Sequence, residues 1–263
     1  PTWFINHFKV SKNLHLVNNA TYGFRVLAGC RAFLLPHQIS TVARCFETTP
    51  VRYMLADEVG LGKTVEACSI LSILASEKKD LRVLIIVPGA LASQWKNELH
   101  YKYGLDAAIA SPRAPICLLP MEDIGKSLLT LSMPWDLAIV DETHRLLAND
   151  TWYSQVQNLS RKVTHILLLS ATPIQDRNEE YRRLLALLNP EQYETMSAER
   201  FSWMVKRQKR IQKSANLLLG YLERYDEYTE IVLDDLNSIV ETLEDAALEK
   251  MVNDIDHSTE DQG

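Results

Sequence analysis

The feature that most limits the fold of this chain is a glycine-rich segment between an apolar run and a helix-compatible run. Residues 57–64 read Asp-Glu-Val-Gly-Leu-Gly-Lys-Thr, after the apolar residues 51–56 and before residues 65–75. A strand, a tight turn and a helix start in this order form a phosphate cradle, because backbone N–H groups and the positive end of the helix dipole face one anion. The segment predicts an α/β domain that binds a nucleoside triphosphate.

Individual residues of the segment suit this chemistry. Gly60 and Gly62 let the backbone approach the phosphates. Lys63 can reach the β- and γ-phosphates, and the Thr64 hydroxyl can bind Mg²⁺. The general phosphate-loop pattern has glycine at its first position, where this chain has Asp57. A glycine-rich turn beside an ordinary surface lysine is therefore the alternative interpretation.

A second segment supports the nucleotide interpretation. Residues 135–140 read as a buried strand that ends in Asp141 and Glu142. Ligands bind at the carboxyl ends of parallel strands, so an acidic pair there suits a triphosphate site. Asp141 would hold Mg²⁺, and Glu142 would orient and deprotonate the attacking water. A helix N-cap explains this pair equally well in isolation, but the upstream cradle favours catalysis.

A third segment completes a recognisable order of motifs. The apolar residues 165–169 run into Ser170-Ala171-Thr172-Pro173, which alone predicts only a turn. The three segments together resemble motifs I, II and III of superfamily-two helicases. Among these, the chain looks most like the SWI/SNF-type DNA translocases, in particular their bacterial branch, which includes the ATPase that recycles RNA polymerase. In that family the phosphate loop begins with Asp, so Asp57 is expected there.

The resemblance implies roles for matching residues. Residues 34–38, Leu-Leu-Pro-His-Gln, resemble the segment with which this family reads adenine. The implied nucleotide site comprises Gln38, Asp57, Glu58, Gly60, Leu61, Gly62, Lys63, Thr64 and Val65. Thr64 and Asp141 would hold Mg²⁺, and the catalytic residues would be Lys63, Asp141 and Glu142. Coupling of the nucleotide site to the DNA track would fall to His144, Ser170 and Thr172.

The nucleic-acid contacts are implied by a fourth segment. Residues 83–88, followed by Gln94 and Trp95, resemble motif Ia, which implies contacts with nucleic acid at Pro88, Gly89, Gln94 and Trp95. Two departures from the family pattern matter. Thr143 replaces the usual Ala of the DEAH-type box. Residues 116–120 replace a Thr-Ser-Tyr-like strand end, so the DNA contact of that motif is not placed.

Charge and cysteine usage limit the class and location of the protein. Residues 1–190 carry 20 Lys and Arg against 17 Asp and Glu, whereas residues 191–263 carry 8 against 17. The motif-bearing part is thus mildly basic and should hold DNA weakly by itself. The four cysteines form no C-x-x-C pair, which favours a reducing compartment. With no signal peptide or membrane span predicted, we expect a cytoplasmic, nucleoid-associated protein, or a nuclear one in a eukaryote.

Three regions follow from the patterns along the chain: an entry segment (1–30), a RecA-like ATP-binding lobe (31–190) and an acidic helical appendage (191–263). The lobe should contain a central, mostly parallel sheet with helices on both faces. Predicted strands lie near 51–56, 82–88, 116–119, 135–141 and 165–170. Predicted helices lie near 37–47, 63–77, 90–102, 151–160 and 177–188.

The preferred function is the ATP-binding lobe of an ATP-dependent translocase on double-stranded DNA. Such motors need a second RecA-like lobe that supplies arginine fingers, so this lobe should bind ATP–Mg²⁺ but hydrolyse ATP slowly alone. One alternative is a strand-separating helicase lobe of the DEAH type. Another is a nucleotide-gated scaffold in a defence or transcription complex, where the acidic appendage would bind a protein partner.

Overall fold

The computed structural model describes residues 24–27, 29–32, 34–56, 60–170 and 178–208. The chain divides into two units, residues 1–195 and 196–263. In the second unit, the described residues form a helix over 198–208, where the Arg207 guanidinium lies 4.8 Å from the centre of the Trp203 ring. The predicted entry segment and most of the predicted appendage lie outside the described residues, and the bounds of the three regions stay predictions.

Strands and helices alternate along the first unit. The described strands are β1 (Arg52–Leu55), β2 (Val83–Val87), β3 (Ala107–Ile109), β4 (Ile116–Pro120), β5 (Leu137–Val140) and β6 (His165–Leu169). The described helices are α1 (Phe24–Leu27), α2 (Pro36–Cys45), α3 (Lys63–Glu77), α4 (Ala92–Tyr103), α5 (Leu128–Ser132), α6 (Thr143–Leu147), α7 (Asp150–Ser160), α8 (Asn178–Leu188) and α9 (Pro190–Tyr193). Short 3-10 helices span Gly89–Leu91 and Met121–Lys126.

The strands form one sheet in the order β1-β6-β5-β2-β4-β3, and every described pair is parallel. The predicted α/β class and RecA-like sheet are confirmed, as are the five predicted strands. Strand β3 was not predicted. It has three residues at the sheet edge, where Ile109 is exposed, so its apolar run is too short to indicate a buried strand.

Helices cover both faces of the sheet. Along β2, Val83, Ile85 and Val87 belong to one buried cluster, which also includes residues of α2, α3 and α4. Leu84 and Ile86 belong to the other cluster, with residues of α6, α7 and α8. Each fully buried aliphatic side chain contributes about 1.5–3 kcal/mol. Because all strands run in one direction, their carboxyl ends meet at a single edge, which we call the carboxyl edge.

No helix among the described residues has the length and apolarity needed to cross a bilayer.

Candidate nucleotide site

The predicted phosphate cradle begins the longest described helix. Gly60 has φ +90° and Gly62 has φ +88°, values that L side chains rarely adopt, so both positions require glycine. Helix α3 starts at Lys63, directly after Gly62. Lys63, Thr64 and Val65 are half-buried in its first turn. Their backbone N–H groups lie in the first turn of the helix, the end that attracts anions. The remaining loop residues, Asp57, Glu58 and Val59, lie outside the described residues.

Gln38 lies against the cradle. Its side chain is 4% exposed, its Oε1 accepts the Leu35 N–H at 3.0 Å, and its Nε2 donates to the Leu61 carbonyl oxygen at 2.9 Å. A Cβ atom added to Gly62 would collide with Gln38 Nε2. The amide therefore holds the loop in position. Its predicted contact with adenine stays a prediction.

The predicted acidic pair follows β5 at the carboxyl edge. Asp141 is 7% exposed. Its Oδ2 accepts the Trp95 indole N–H, and its Oδ1 accepts the Glu142 backbone N–H, both at 2.8 Å. Burial raises the pKa of Asp141 above its ordinary value, although these two donors and the Lys63 ammonium offset part of the effect. A buried carboxylate of this kind gains from any additional positive charge.

Glu142 occupies a strained backbone position. Its φ is +49°, the left-handed region, and helix α6 begins one residue later. His144 Nδ1 lies 3.1 Å from Glu142 Oε2, within ion-pair range. Among the described residues, Glu142 Oε2 and the Thr143 hydroxyl are buried without a hydrogen bond. Strained residues and unsatisfied polar atoms concentrate at functional sites.

The cradle and the acidic pair converge at one edge. Strand β6 lies between β1, which precedes the cradle, and β5, which precedes Asp141. Ser170 directly follows β6, is 1% exposed, and donates its N–H to the Leu55 carbonyl oxygen at 3.0 Å. The strand order therefore places Lys63, Asp141 and Ser170 at the same edge of the sheet, and the Lys63 charge acts to lower the pKa of Asp141. Thr172 lies outside the described residues.

The predicted nucleic-acid residues do not form one surface. Gly89 and Gln94 are exposed and Pro88 is buried. Trp95 is 1% exposed, and its indole packs in the core and donates its N–H to Asp141. The predicted contact of Trp95 with nucleic acid stays a prediction. From the sequence alone, a tryptophan in a helix can lie on the buried face or on the exposed face. The packing of α4 against the sheet places Trp95 on the buried face.

Sequence reasoning also missed Glu122. Its Oε2 accepts the Gly89 N–H at 2.9 Å, and its Oε1 lies 3.9 Å from Arg145 NH1. Strands β2 and β4 are neighbours, and both lead through a proline into a 3-10 helix at the carboxyl edge. That shared Pro-then-turn pattern was the available signal. Because β2 and β4 are neighbours, the turn after β4 lies beside Gly89. From the sequence alone, no role was predicted for that turn.

Comparison with known proteins gives a consistent result. The chain matches the family described as SNF2-related domain over residues 37–110 and 120–254. It is 40% identical over 166 residues to the uncharacterized ATP-dependent helicase YqhH of Bacillus subtilis, covering 59% of this chain and 29% of that protein. It is 36% identical over 192 residues to the RNA polymerase-associated protein RapA of Haemophilus influenzae, covering 64% of this chain and 21% of that protein. The chain thus spans less than a third of the length of these relatives.

Two solved structures share the fold. One is the SWI2/SNF2 ATPase core of Sulfolobus solfataricus in complex with dsDNA, with a TM-score of 0.59 and 16% identity, covering 84% of this chain and 60% of that one. The other is the SWI2/SNF2 ATPase core domain of the same organism, with a TM-score of 0.57 and 22% identity, covering 79% of this chain and 46% of that one. At this identity the likeness concerns the fold.

Proposed function

Because the chain belongs to the family of SNF2-related domains, we propose that it is the ATP-binding and ATP-hydrolysing lobe of a translocase on double-stranded DNA. The observation that supports this most directly is that Lys63, which begins a helix after a glycine cradle, and the buried Asp141 lie at the same carboxyl edge of the sheet. A cationic residue and a buried carboxylate in this arrangement suit a triphosphate with a divalent cation. The relative YqhH is named as an uncharacterized ATP-dependent helicase, which agrees with this proposal.

The residues at the site suit Mg²⁺ bound together with the nucleotide. Among the described residues, no group of three or more His, Cys, Asp or Glu side chains could hold a metal ion. Mg²⁺ fits such a site because it is usually held by one or two carboxylates plus phosphate oxygens. Asp141 and Thr64 would hold the ion, which, when bound, neutralises charge on the phosphates.

The remaining roles follow from position. Lys63 would bind the β- and γ-phosphates, and the amino end of α3 would bind phosphate oxygens through backbone N–H groups. Glu142 would orient and deprotonate the attacking water, since it directly follows Asp141 at the carboxyl edge. His144, whose Nδ1 lies 3.1 Å from Glu142 Oε2, would couple the site to the DNA track together with Ser170 and Thr172.

The full reaction would require a second RecA-like lobe. Arginine fingers contribute about 10³–10⁵ in rate to related phosphoryl transfers. The matched part covers 29% of YqhH and 21% of RapA, which leaves room for such a lobe in a longer chain. We therefore expect ATP–Mg²⁺ binding with slow hydrolysis by this chain alone.

Double-stranded DNA is the proposed substrate, through Gly89 and Gln94 at the carboxyl edge. The relative in complex with dsDNA supports this choice, and the RNA polymerase-associated relative supports a protein partner, for which the acidic residues 191–263 are a candidate. The protein would act where DNA lies, in the bacterial cytoplasm and nucleoid, or in the nucleus of a eukaryote.

The nucleotide proposal is tested by calorimetric titration with ATP and Mg²⁺. Lys63→Ala should weaken binding about 10–100-fold, because it removes charge-assisted hydrogen bonds. Lys79→Ala is the matched control, an exposed lysine just beyond the other end of α3. Equal affinities for all three proteins would refute the proposed site. On the full-length protein, strand displacement would favour the DEAH-type alternative, and activity that persists without Lys63 would favour a scaffold.

A further inference from the structure

Trp95 of helix α4 and Asp141, which follows strand β5, form a buried contact at the carboxyl edge of the sheet. The indole Nε1 donates to Asp141 Oδ2 at 2.8 Å, and both residues are buried. The Glu142 backbone N–H donates to the other oxygen, Oδ1. Each carboxylate oxygen therefore receives one N–H donor from a different direction, which restricts rotation of the carboxylate plane.

Trp95 is suited to this task by its own packing. It is 1% exposed and belongs to the core cluster that contains α3 and α4, so neighbouring apolar side chains determine where the ring lies. Indole has a single N–H donor and no acceptor. A ring held by the core thus directs one donor at one oxygen. Residues that hold a metal-binding side chain in this way commonly change metal affinity 10–100-fold when replaced.

The contact also joins the carboxylate to helix α4, which contains Gln94, one of the two residues proposed to bind DNA. Helix α4 carries Trp95 inward and the neighbouring Gln94 outward. The turn before α4 is held through the Gly89 N–H by Glu122. A displacement of α4 would therefore move the indole donor together with Gln94, and the donor would carry that displacement to Asp141.

We propose that Trp95 is a positioning residue that orients the Asp141 carboxylate for Mg²⁺ and transmits the position of α4 to it. This inference rests on the proposed nucleotide site. A purely structural role would be to satisfy a buried carboxylate, with no specific effect on metal-dependent binding.

The test uses a matched pair of tryptophans. Trp135 is 4% exposed and donates its indole N–H to the Thr130 carbonyl oxygen at 2.7 Å, away from the site. Trp95→Phe and Trp135→Phe therefore each remove one buried indole hydrogen bond and keep an aromatic ring. For each protein, ADP affinity is measured calorimetrically with Mg²⁺ and with a chelator, and stability is measured by thermal unfolding.

We expect Trp95→Phe to reduce the Mg²⁺-dependent gain in ADP affinity about 10–100-fold, with the chelator value unchanged. Trp135→Phe should leave both values unchanged while lowering thermal stability to a similar extent. An unchanged gain in Trp95→Phe, a loss that is equal with and without Mg²⁺, or the same loss in Trp135→Phe would overturn the inference.

A second measurement needs no variant. In wild-type protein labelled with ¹⁵N at the indole nitrogens, adding Mg²⁺ to the ADP complex should shift the Trp95 indole signal and leave the Trp135 signal in place. No selective shift would overturn the positioning role. Wild-type protein that binds no ADP at all would instead refute the proposed function, and the role of Trp95 with it.

Discussion

Strand β5 has an aspartate at each end, and the two aspartates lie in opposite environments. Burial tends to raise the pKa of Asp136, but hydrogen bonds from the Lys78 ammonium and the Arg82 backbone N–H outweigh it and hold that pKa below its ordinary value. Burial raises the pKa of Asp141, and its partners offset only part of that effect. At one end of the strand the fold supplies the neutralising groups, whereas at the other it leaves charge for a ligand to neutralise.

The same contrast holds for the amino edge, where the parallel strands begin, and the carboxyl edge. At the amino edge, the Val51 N–H donates to His165 Nδ1 at 3.0 Å. Arg52 donates to the backbone carbonyl oxygens of Ser160, Val163, Thr164, Leu187 and Leu188. At the carboxyl edge, Glu142 is strained and polar atoms are buried without hydrogen bonds among the described residues. One edge stabilises the fold, and the other retains the strain and unmet polar groups that a bound ligand can relieve.

The largest expected effect on stability is at the amino edge. Arg52→Met keeps the aliphatic stem but removes the donors that satisfy carbonyl groups at the ends of α7 and α8. We expect the free energy of unfolding to fall by about 3 kcal/mol, because several buried acceptors lose a charged donor. Urea unfolding measures the change, with Arg44→Met as the exposed control.

Folded Arg52→Met should bind nucleotide with wild-type affinity. Weakened binding in the folded variant would show that the two edges are not independent, and a change no larger than that of Arg44→Met would remove the stabilising role.

A smaller effect on stability, with a large effect on binding, is expected in the cradle. Gly62→Ala places a Cβ at φ +88° and against the Gln38 amide, whereas Gly104→Ala places one at φ +65° with no described atom within 4 Å. Both should lower the free energy of unfolding by about 1–2 kcal/mol. Only Gly62→Ala should also weaken nucleotide binding, at least about tenfold, since the loop must move.

Thermal unfolding and calorimetric titration separate the two effects. Equal nucleotide affinity in the two alanine variants would show that the loop geometry is not required.

The smallest effects concern the two aspartates and have opposite signs. Because the folded-state pKa of Asp136 lies below its ordinary value of 3.8, its stabilisation is present above that pH and is lost as pH falls through the lowered pKa. Because the folded-state pKa of Asp141 is raised, the folded state binds more protons between the ordinary and raised values, so stability rises as pH falls through that window.

At neutral pH, Asp136→Asn should therefore lower the free energy of unfolding by about 1 kcal/mol after solvent screening. Asp141→Asn loses one of the two hydrogen bonds that the carboxylate accepts, so its expected signature is the loss of the rise in stability as pH falls, relative to wild type. Urea unfolding between pH 4 and 7 measures both. Asp136→Asn that leaves the stability unchanged, or Asp141→Asn that keeps the wild-type pH dependence, would contradict the contrast between the two ends of β5.

Much of the fold could be predicted because its signals are local. The predicted helix 63–77 matches α3, and the predicted strand 165–170 matches β6 within one residue. Buried parallel strands are apolar throughout, and a glycine-rich loop directly before an apolar periodic run indicates where a helix begins. Strand β3 could not be predicted in this way, because it has only three residues and becomes a strand by pairing with β4.

The chemistry of the candidate site divides along similar lines. Lys63 and Thr64 adjoin the cradle, and Asp141 and Glu142 follow an apolar strand, so residue type and neighbours alone indicated phosphate and Mg²⁺. Their meeting at one edge depended on the strand order, which places β6 between β1 and β5. Spacing along the chain contains no information about that order.

By itself, the sequence determined the α/β class, the positions of the main strands and helices, and the residue types available for phosphate chemistry, because each depends on side chains close together in the chain. Only the tertiary structure decided that Trp95 turns inward to Asp141 and that Gln38 holds the loop at Leu61. These contacts join residues 46 and 23 positions apart. Such a hydrogen bond forms only after the sheet and its helices have packed, when burial makes an unpartnered polar group costly.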